Sequence, residues 1–387
     1  MSEATVDLIT EIRFGKNSHH NKRILAISNK EFSISTHMIV VIGYGMIGSV
    51  AANELSSKDS VVVIDKRKIE NVPFKTLKGD VFDFKDTIEK ADVVVSALPG
   101  SIAYSILSKF MRMGKKVVDV SFMPQDSITL NDVALNNNAL LIPDSGYAPG
   151  LTNIISGYFY KKYGAKRIEI FDAGLPREKM PPLDYSITWS VEGLIDIYTR
   201  PARYIQDGIL KTVDPLDSIE HENFPGIGEL DSFLVDGLGT LIDTLKDVDM
   251  FERTYRYPGH LQKMKFLRDM GYLSDEKVGG NSPRKMTIDL FDKKLRTKAE
   301  DLCILYVKAY GNVQKEVRYV DYYDEERNIS SMARMTGFPL ATNAMLVLDG
   351  RIDDKGVIPP EMLGFDESRF HMIMSNLNKM GLKIKVE

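Results

Sequence analysis

The sequence predicts an α/β fold, a doubly wound parallel sheet followed by an α+β second domain with a mixed or antiparallel sheet. Three observations predict it. Unbroken Val/Ile runs alternate with helical patterns from Met38 to about residue 150. A glycine-bearing turn, Gly43-Tyr44-Gly45-Met46-Ile47-Gly48, joins the first of those runs to the first helical pattern. Beyond "GYAPG" (146–150) the pattern changes to half-buried alternation and paired-strand material. Runs that are apolar on both faces suit strands covered by helices on both sides, and right-handed crossovers then wind such a sheet in two halves.

The elements follow in order. "MIVVI" from Met38 reads as a buried strand, Met46 to Leu55 as a helix and "SVVVID" as a second strand. "FKTLKGDVFD" holds a short third strand and a turn. "DTIEKA" is a helix, "DVVVSALPG" a fourth strand, Ser101 to Met113 a helix and "KKVVDVS" a fifth strand. "SITLNDVALNNN" reads as a helix and "ALLIPDSG" as a sixth strand. Past the glycine turn, Leu151 to Tyr163 is helical, "KRIEIFDAG" a strand and "LDYSITWS" a half-buried strand. Val191 to Thr199 reads as a helix stopped by Pro201. Residues 301–323 read as a hairpin, and Glu325 to Gly350 as an apolar helix suited to docking on the first domain. The expected division is 1–37 as an N-terminal extension of unclear role, 38–150 as a dinucleotide-binding Rossmann domain and 151–325 as a substrate domain. Residues 326–387 are expected to form a C-terminal helical segment packing back.

Bulk properties narrow the function. A chain of 387 residues is too long for one ordinary core. With 43% hydrophobic and 27% charged residues it belongs with folded globular proteins. A net charge of −4 offers no nucleic-acid surface, and the apolar runs are strand-sized, so no membrane span is expected. The single cysteine, Cys303, excludes an internal disulfide. No signal peptide is apparent, and a cytoplasmic location is expected. The histidines stand at no zinc-ligand spacing from one another or from Cys303, so no metal is expected.

The glycine turn points to a dinucleotide. Gly43 permits a tight turn, Gly45 lets a pyrophosphate approach the backbone, and Gly48 lets helix and strand pack closely. Met46 and Ile47 open the helix, whose free N–H groups favour phosphate. Asp65 lies 22 residues after Gly43 at the end of the second strand, where a carboxylate accepts from ribose hydroxyls. That favours NAD. Lys66 and Arg67 follow at once and could receive a 2′-phosphate, so NADP stays open. Asp80 and Val81 are expected near the adenine, and Ala97, Leu98 and Pro99 of "SALPG" near the nicotinamide ribose. Asp119 ends the fifth strand in the expected cleft.

From "DSGYAPGLTN" (144–153) onward the sequence resembles the saccharopine dehydrogenase-like family. "PPLDYSITWSVEGLIDIYTRPARYIQDG" (181–208), "FLVDGLGTL" (233–241), "RTYRYPGH" (253–260) and "ARMTGFP" (333–339) are similar to its lysine 6-dehydrogenase branch. The likeness runs from about Met38 to the C-terminus. It implies NAD-dependent oxidative deamination of the L-lysine ε-amine to the semialdehyde (which cyclises to a piperideine carboxylate), ammonia and NADH. It also implies a homodimer or homotetramer with much of the contact from the second domain. A saccharopine-type reductase using NADPH is the second reading. A non-catalytic NAD(P)-binding sensor or partner-binding protein is a third, and it calls for a cleft without convergent polar groups.

Amine oxidation needs a base and a carboxylate clamp. Asp119 is the first candidate for holding or deprotonating the amine, and Tyr147 in the interdomain turn can position water or amine. Glu192, Asp196 and Arg200 share one helix face, as a salt-bridge row or as site residues. Arg203, after the helix stop, is the candidate clamp. Trp189 can wall the pocket. Arg253, Tyr255, Arg256, Tyr257 and His260 crowd the Pro258-Gly259 turn, and Arg256 and His260 are the candidates there for recognising an amino acid. "DGLGTL" (236–241) reads as a glycine-bearing loop.

Overall fold

The computed structural model describes residues 37–386. The reading of residues 1–37 as an extension falls, except for His37, outside the described residues. Fifteen strands are described. The first six are β1 (Met38–Ile42), β2 (Ser60–Asp65), β3 (Lys75–Lys78), β4 (Val93–Ser96), β5 (Lys116–Asp119) and β6 (Leu140–Ile142). Then come β7 (Arg167–Pro176), β8 (Ala202–Gln206), β9 (Ile209–Val213), β10 (Glu220–Phe224) and β11 (Gly228–Leu234). The last are β12 (Asp249–Arg256), β13 (Asp301–Tyr310), β14 (Lys315–Tyr322) and β15 (Gly356–Val357).

Seven of them form one parallel sheet in the order β15-β6-β5-β4-β1-β2-β3. The order reverses between β1 and β4, which places a crevice at the carboxyl ends of these strands. Their Val/Ile runs are buried because helices cover both faces. On one face lie Val41, Val63 and Val95, and on the other Val40, Val62 and Val94. The seventh strand, β15, comes from the far end of the chain and pairs in parallel with β6. At two residues it is too short to give a periodic signal, and the sequence reading does not contain it.

The second sheet has the order β10-β11-β12-β7-β13-β14, with β8 and β9 joining at β12. It is mixed. β12 runs parallel to β7, while β7, β13 and β14 form antiparallel pairs. The helix Leu151–Tyr163 leads into this sheet from the first one. The helix Ser331–Leu348 returns along the Met46–Ser56 helix so closely that a Cβ on Gly337 would stand 2.8 Å from Val50 Cγ1.

Two elements differ from the sequence expectation. "LDYSITWS" begins in a turn, with Asp184 left-handed (φ 55°), and joins no ladder. Leu183, Tyr185 and Ile187 plug a cluster that contains Leu194, Leu261 and Leu295, and that packing, not a sheet face, produces the alternation. The helix expected from Glu325 starts at Ser331. Asp324 and Ile329 close a turn by reciprocal backbone bonds, and the Ser330 hydroxyl then caps Ala333 N.

Candidate active site

A cavity of about 1020 Å³ opens at the carboxyl ends of the parallel strands and runs to the second sheet. Its first half is built from the glycine turn. Gly43 has a left-handed backbone (φ 87°), and a Cβ there would lie 2.4 Å from the Ala97 carbonyl oxygen. The turn therefore rests directly on the "SALPG" segment. A Cβ on Gly48 would lie 2.0 Å from the Gly43 oxygen, so that glycine closes the turn against its own helix. Gly45 has nothing within 4 Å of its missing Cβ, and no side chain caps the helix that starts at Met46. An open cradle facing uncapped N–H groups fits a pyrophosphate.

The other sequence-derived cofactor residues line the same half: Met46, Ile47, Asp65, Lys66, Asp80, Val81, Ala97, Leu98 and Pro99. Asp80 also caps the short 3₁₀ turn Val81–Phe84, accepting from Phe82 N. Asp65 accepts from Tyr44 N (2.7 Å), Arg67 N (2.7 Å) and Arg67 Nε (3.1 Å), and Arg67 Nη2 donates back to the Tyr44 carbonyl (2.7 Å). Burial opposes ionisation of Asp65, but these donors outweigh it and hold the carboxyl below its usual range.

The second half of the cavity is set by strand periodicity. Glu252, Thr254 and Arg256 alternate along β12, so they share one face. Asp172 stands opposite Thr254 on β7. Thr254 Oγ1 donates to Asp172 Oδ1 (2.6 Å), and Arg256 Nη1 donates to Thr254 Oγ1 (3.1 Å). Burial raises Asp172, and burial together with the Asp172 charge raises Glu252 well above the carboxylate range. The two acids touch, so the pair shares a proton, and the Arg256 charge acts on its Asp172 member. Gly237 makes room for Glu252, since a Cβ there would lie 2.0 Å from Glu252 Oε1. None of these partners except Arg256 was singled out from sequence. The available signal was the period-two spacing in "FERTYR" and "FDAG", which a reading centred on the Pro-Gly turn passes over.

Arg256 is 3% exposed and lines the cavity. Its guanidinium lies 4.9 Å from the Tyr185 ring, and its Nε donates to the Tyr198 hydroxyl (2.9 Å). Behind it runs a buried chain. His260 Nδ1 lies 2.7 Å from the Leu183 carbonyl, which can only accept, so Nδ1 carries the proton and Nε2 accepts from Tyr198 (2.7 Å). Burial, then the Arg256 charge, pushes His260 down to about 3.

Of the five predicted catalytic residues, Arg256 and Tyr147 line the cavity, while Asp119, Arg203 and His260 do not. Asp119 is fully buried behind the cavity wall and accepts from Ser121 N (3.0 Å) and Oγ (2.8 Å). It shapes the loop after β5 and does not reach the cleft, although burial raises it to about 6. Tyr147 lines the cavity, but its hydroxyl is committed to backbone, donating to Ile304 O and accepting from Ala173 N. Arg203 points away, pairing with Asp236 (2.6 Å) in a separate small cavity. His260 lines neither of these two cavities and acts through Tyr198 on Arg256. Of the helix row, Glu192 and Asp196 line the main cavity, while Arg200 stands just outside the helix beside Asp236. Trp189 walls the cavity, lying over Gly193 and against Phe122.

The neutral state of His260 has a measurable consequence. Its folded value of about 3 lies below the 6.5 of the free side chain, so the unfolded chain binds the extra proton in that window. Its contribution to stability is therefore lost as pH falls from about 6.5 towards 3. The gap in urea midpoint between the wild type and His260→Gln is expected to shrink on acidification through that window. A gap that stays constant would contradict the assignment.

Among the described residues no group of three or more His, Cys, Asp or Glu is placed to hold a metal, and no helix is long and apolar enough to cross a membrane.

Residues 39–142 match the saccharopine dehydrogenase NADP binding domain, and residues 146–382 match the saccharopine dehydrogenase C-terminal domain. Among curated relatives, the chain is 25% identical over 232 residues to the alpha-aminoadipic semialdehyde synthase of Arabidopsis thaliana, covering 54% of this chain and 22% of that protein. It is 22% identical over 392 residues to the NADP(+), L-glutamate-forming saccharopine dehydrogenase of Saccharomyces cerevisiae, covering 89% and 81%. The solved structure of the apo L-Glu-forming saccharopine dehydrogenase from Saccharomyces cerevisiae shares the fold, with a TM-score of 0.70, 18% identity and coverage of 91% of this chain and 100% of that one. The chain thus spans under a quarter of the Arabidopsis relative but most of the yeast one, and it belongs to the saccharopine dehydrogenase family.

Proposed function

We propose that this chain is an NAD-dependent dehydrogenase that oxidises the ε-amine of L-lysine, giving 2-aminoadipate semialdehyde, ammonia and NADH. The observation that carries this reading is the charge balance of the substrate half. One buried arginine, Arg256, shares its sheet face with Asp172 and Glu252, and Asp144, Glu192 and Asp196 line the same cavity, Asp196 being paired with Arg284. Such a set suits a ligand with one carboxylate and cationic amines. Saccharopine carries three carboxylates, and the other arginine on this wall, Arg296, is already paired with Asp292 at 2.6 Å.

In this reading Arg256 holds the α-carboxylate and the Asp172–Glu252 pair holds the α-ammonium, so the head group docks across complementary charges. The side chain then extends towards the parallel sheet, where the bound nicotinamide supplies a hydride acceptor. Trp189, Tyr185 and Phe122 line the walls and keep water from the reacting carbon. The names of the relatives favour a second reading, a saccharopine-type reaction with NADP(H). Cofactor reduction with L-lysine, ornithine and saccharopine, each with NAD and NADP, separates the two. Turnover of lysine is expected. Turnover of saccharopine alone would overturn the lysine reading.

The preference for NAD rests on Asp65, a carboxylate where a 2′-phosphate would lie. Asp65→Ala removes that charge and frees Arg67. The ratio of NADP to NAD affinity is expected to rise by roughly 10-fold or more. An unchanged ratio in a direct binding titration would remove Asp65 from the argument.

A further inference from the structure

We propose that Asp144, so far named only among the acids lining the cavity, is the general base of this site. The inference rests on the amine-oxidising reading above and names the group that would serve it.

Asp144 follows β6 and stands on a wall common to two cavities. One side faces the main cavity. The other faces a polar side cavity of about 350 Å³ that also holds Asp126, Ser127, Arg200, Arg203 and Asp236. Its backbone is left-handed (φ 48°), a conformation that costs a non-glycine residue energy and recurs at functional positions. Gly239 leaves it space, since a Cβ there would stand 3.3 Å from Asp144 Oδ2.

Asp144 differs from most of the surrounding acids in its lack of donors, a lack it shares with Glu252, which lies against Asp172. Asp119 is held by Ser121, Asp172 by Thr254 and Asp236 by Arg203. Glu361 accepts from Asn153, Thr240 and Thr244. No hydrogen bond from the described residues reaches the Asp144 carboxylate, so its acceptor capacity is left for a ligand or water. The charged groups around it come from several elements: Asp119 from β5, Glu252 from β12, Glu361 from the helix Pro360–Phe365, and Asp126, Asp236, Arg200 and Arg203 around the side cavity. Burial, then the negative charges of Asp119, Glu361 and Asp126, raises it to about 7. A base of that strength exchanges protons readily at neutral pH.

The proton balance closes around it. The substrate amine arrives as the ammonium, and Asp144 takes one N–H proton. The lone pair left on nitrogen becomes the second C–N bond as the carbon loses hydride, so the carbon is oxidised by two electrons and the bound nicotinamide is reduced by the same two. Asp144 releases its proton through the side cavity. It then takes a proton from the water that adds to the iminium carbon and returns it to nitrogen. The nitrogen departs with the carbinol proton as ammonium, leaving the aldehyde.

The test compares the full-length wild type with Asp144→Asn, on whichever amino acid the wild type oxidises. The variant is expected to lower kcat by roughly 10²- to 10⁴-fold and to lose the near-neutral ionisation from the kcat/KM profile, with NAD affinity unchanged. A readout independent of turnover is the infrared difference between the two proteins across pH. A carboxyl band that titrates near neutrality in the wild type alone is expected. Titration of that carboxyl in the ordinary carboxylate range, or a variant with the wild-type pH profile, would overturn the assignment. If lysine is inert while another amine turns over in an Asp144-dependent way, only the lysine reading fails and the base assignment stands.

Discussion

Arg256→Lys is expected to raise the KM for the amino-acid substrate by roughly 10²- to 10³-fold while leaving cofactor affinity unchanged. Lysine keeps the positive charge, so Asp172 retains a counter-ion and the fold is spared the cost of an unpaired buried acid. It loses the planar fork, the bond to the Tyr198 hydroxyl and the stacking on Tyr185. The buried chain through Tyr198 and His260 exists to hold that fork at one angle, and an ammonium on a flexible stem cannot use it. A variant that raises KM this far with a smaller change in kcat has lost ground-state and transition-state binding alike. An unchanged KM would mean that the carboxylate of the substrate binds elsewhere.

Two glycines three positions apart in one turn, Gly45 and Gly48, should differ in their effect on stability, and the contrast tests the cofactor cradle. Gly48→Ala puts a methyl group 2.0 Å from the Gly43 carbonyl oxygen, a contact that only movement of the turn relieves. Both folding stability and dinucleotide binding are expected to suffer. Gly45→Val meets no protein atom within 4 Å of its Cβ, so the thermal midpoint should change little. Its side chain fills the space that the pyrophosphate needs, and dinucleotide affinity is expected to fall by roughly 100-fold or more. Retained affinity in Gly45→Val, measured by titration, would place the phosphates away from this turn.

The parallel sheet was legible because its signals are local. An apolar run, a glycine turn and an acid at the next strand end all lie within 28 residues, from Met38 to Asp65. The substrate half was legible only in part. Arg256 stood out in a cluster of arginines and aromatics, but its partners Asp172, Tyr198 and Glu252 come together only through sheet register and helix packing. Asp119 shows the limit from the other side. Its position at a strand end was read correctly, yet the loop beyond it folds Ser121 back onto the carboxylate and turns it inward. Asp144, three residues short of the tyrosine singled out in the same turn, carries no periodic signal at all. Its lack of donors is a property of the folded surroundings and not of the sequence.

The central claim, hydride removal from the ε-carbon of lysine, has a direct test. L-Lysine carrying deuterium only at C6 is incubated with the protein and NAD, and the reduced cofactor is examined for label. Deuterium on the nicotinamide is the expected result. Unlabelled NADH formed from this substrate would place the oxidation at another carbon, and turnover of saccharopine in place of lysine would contradict the account.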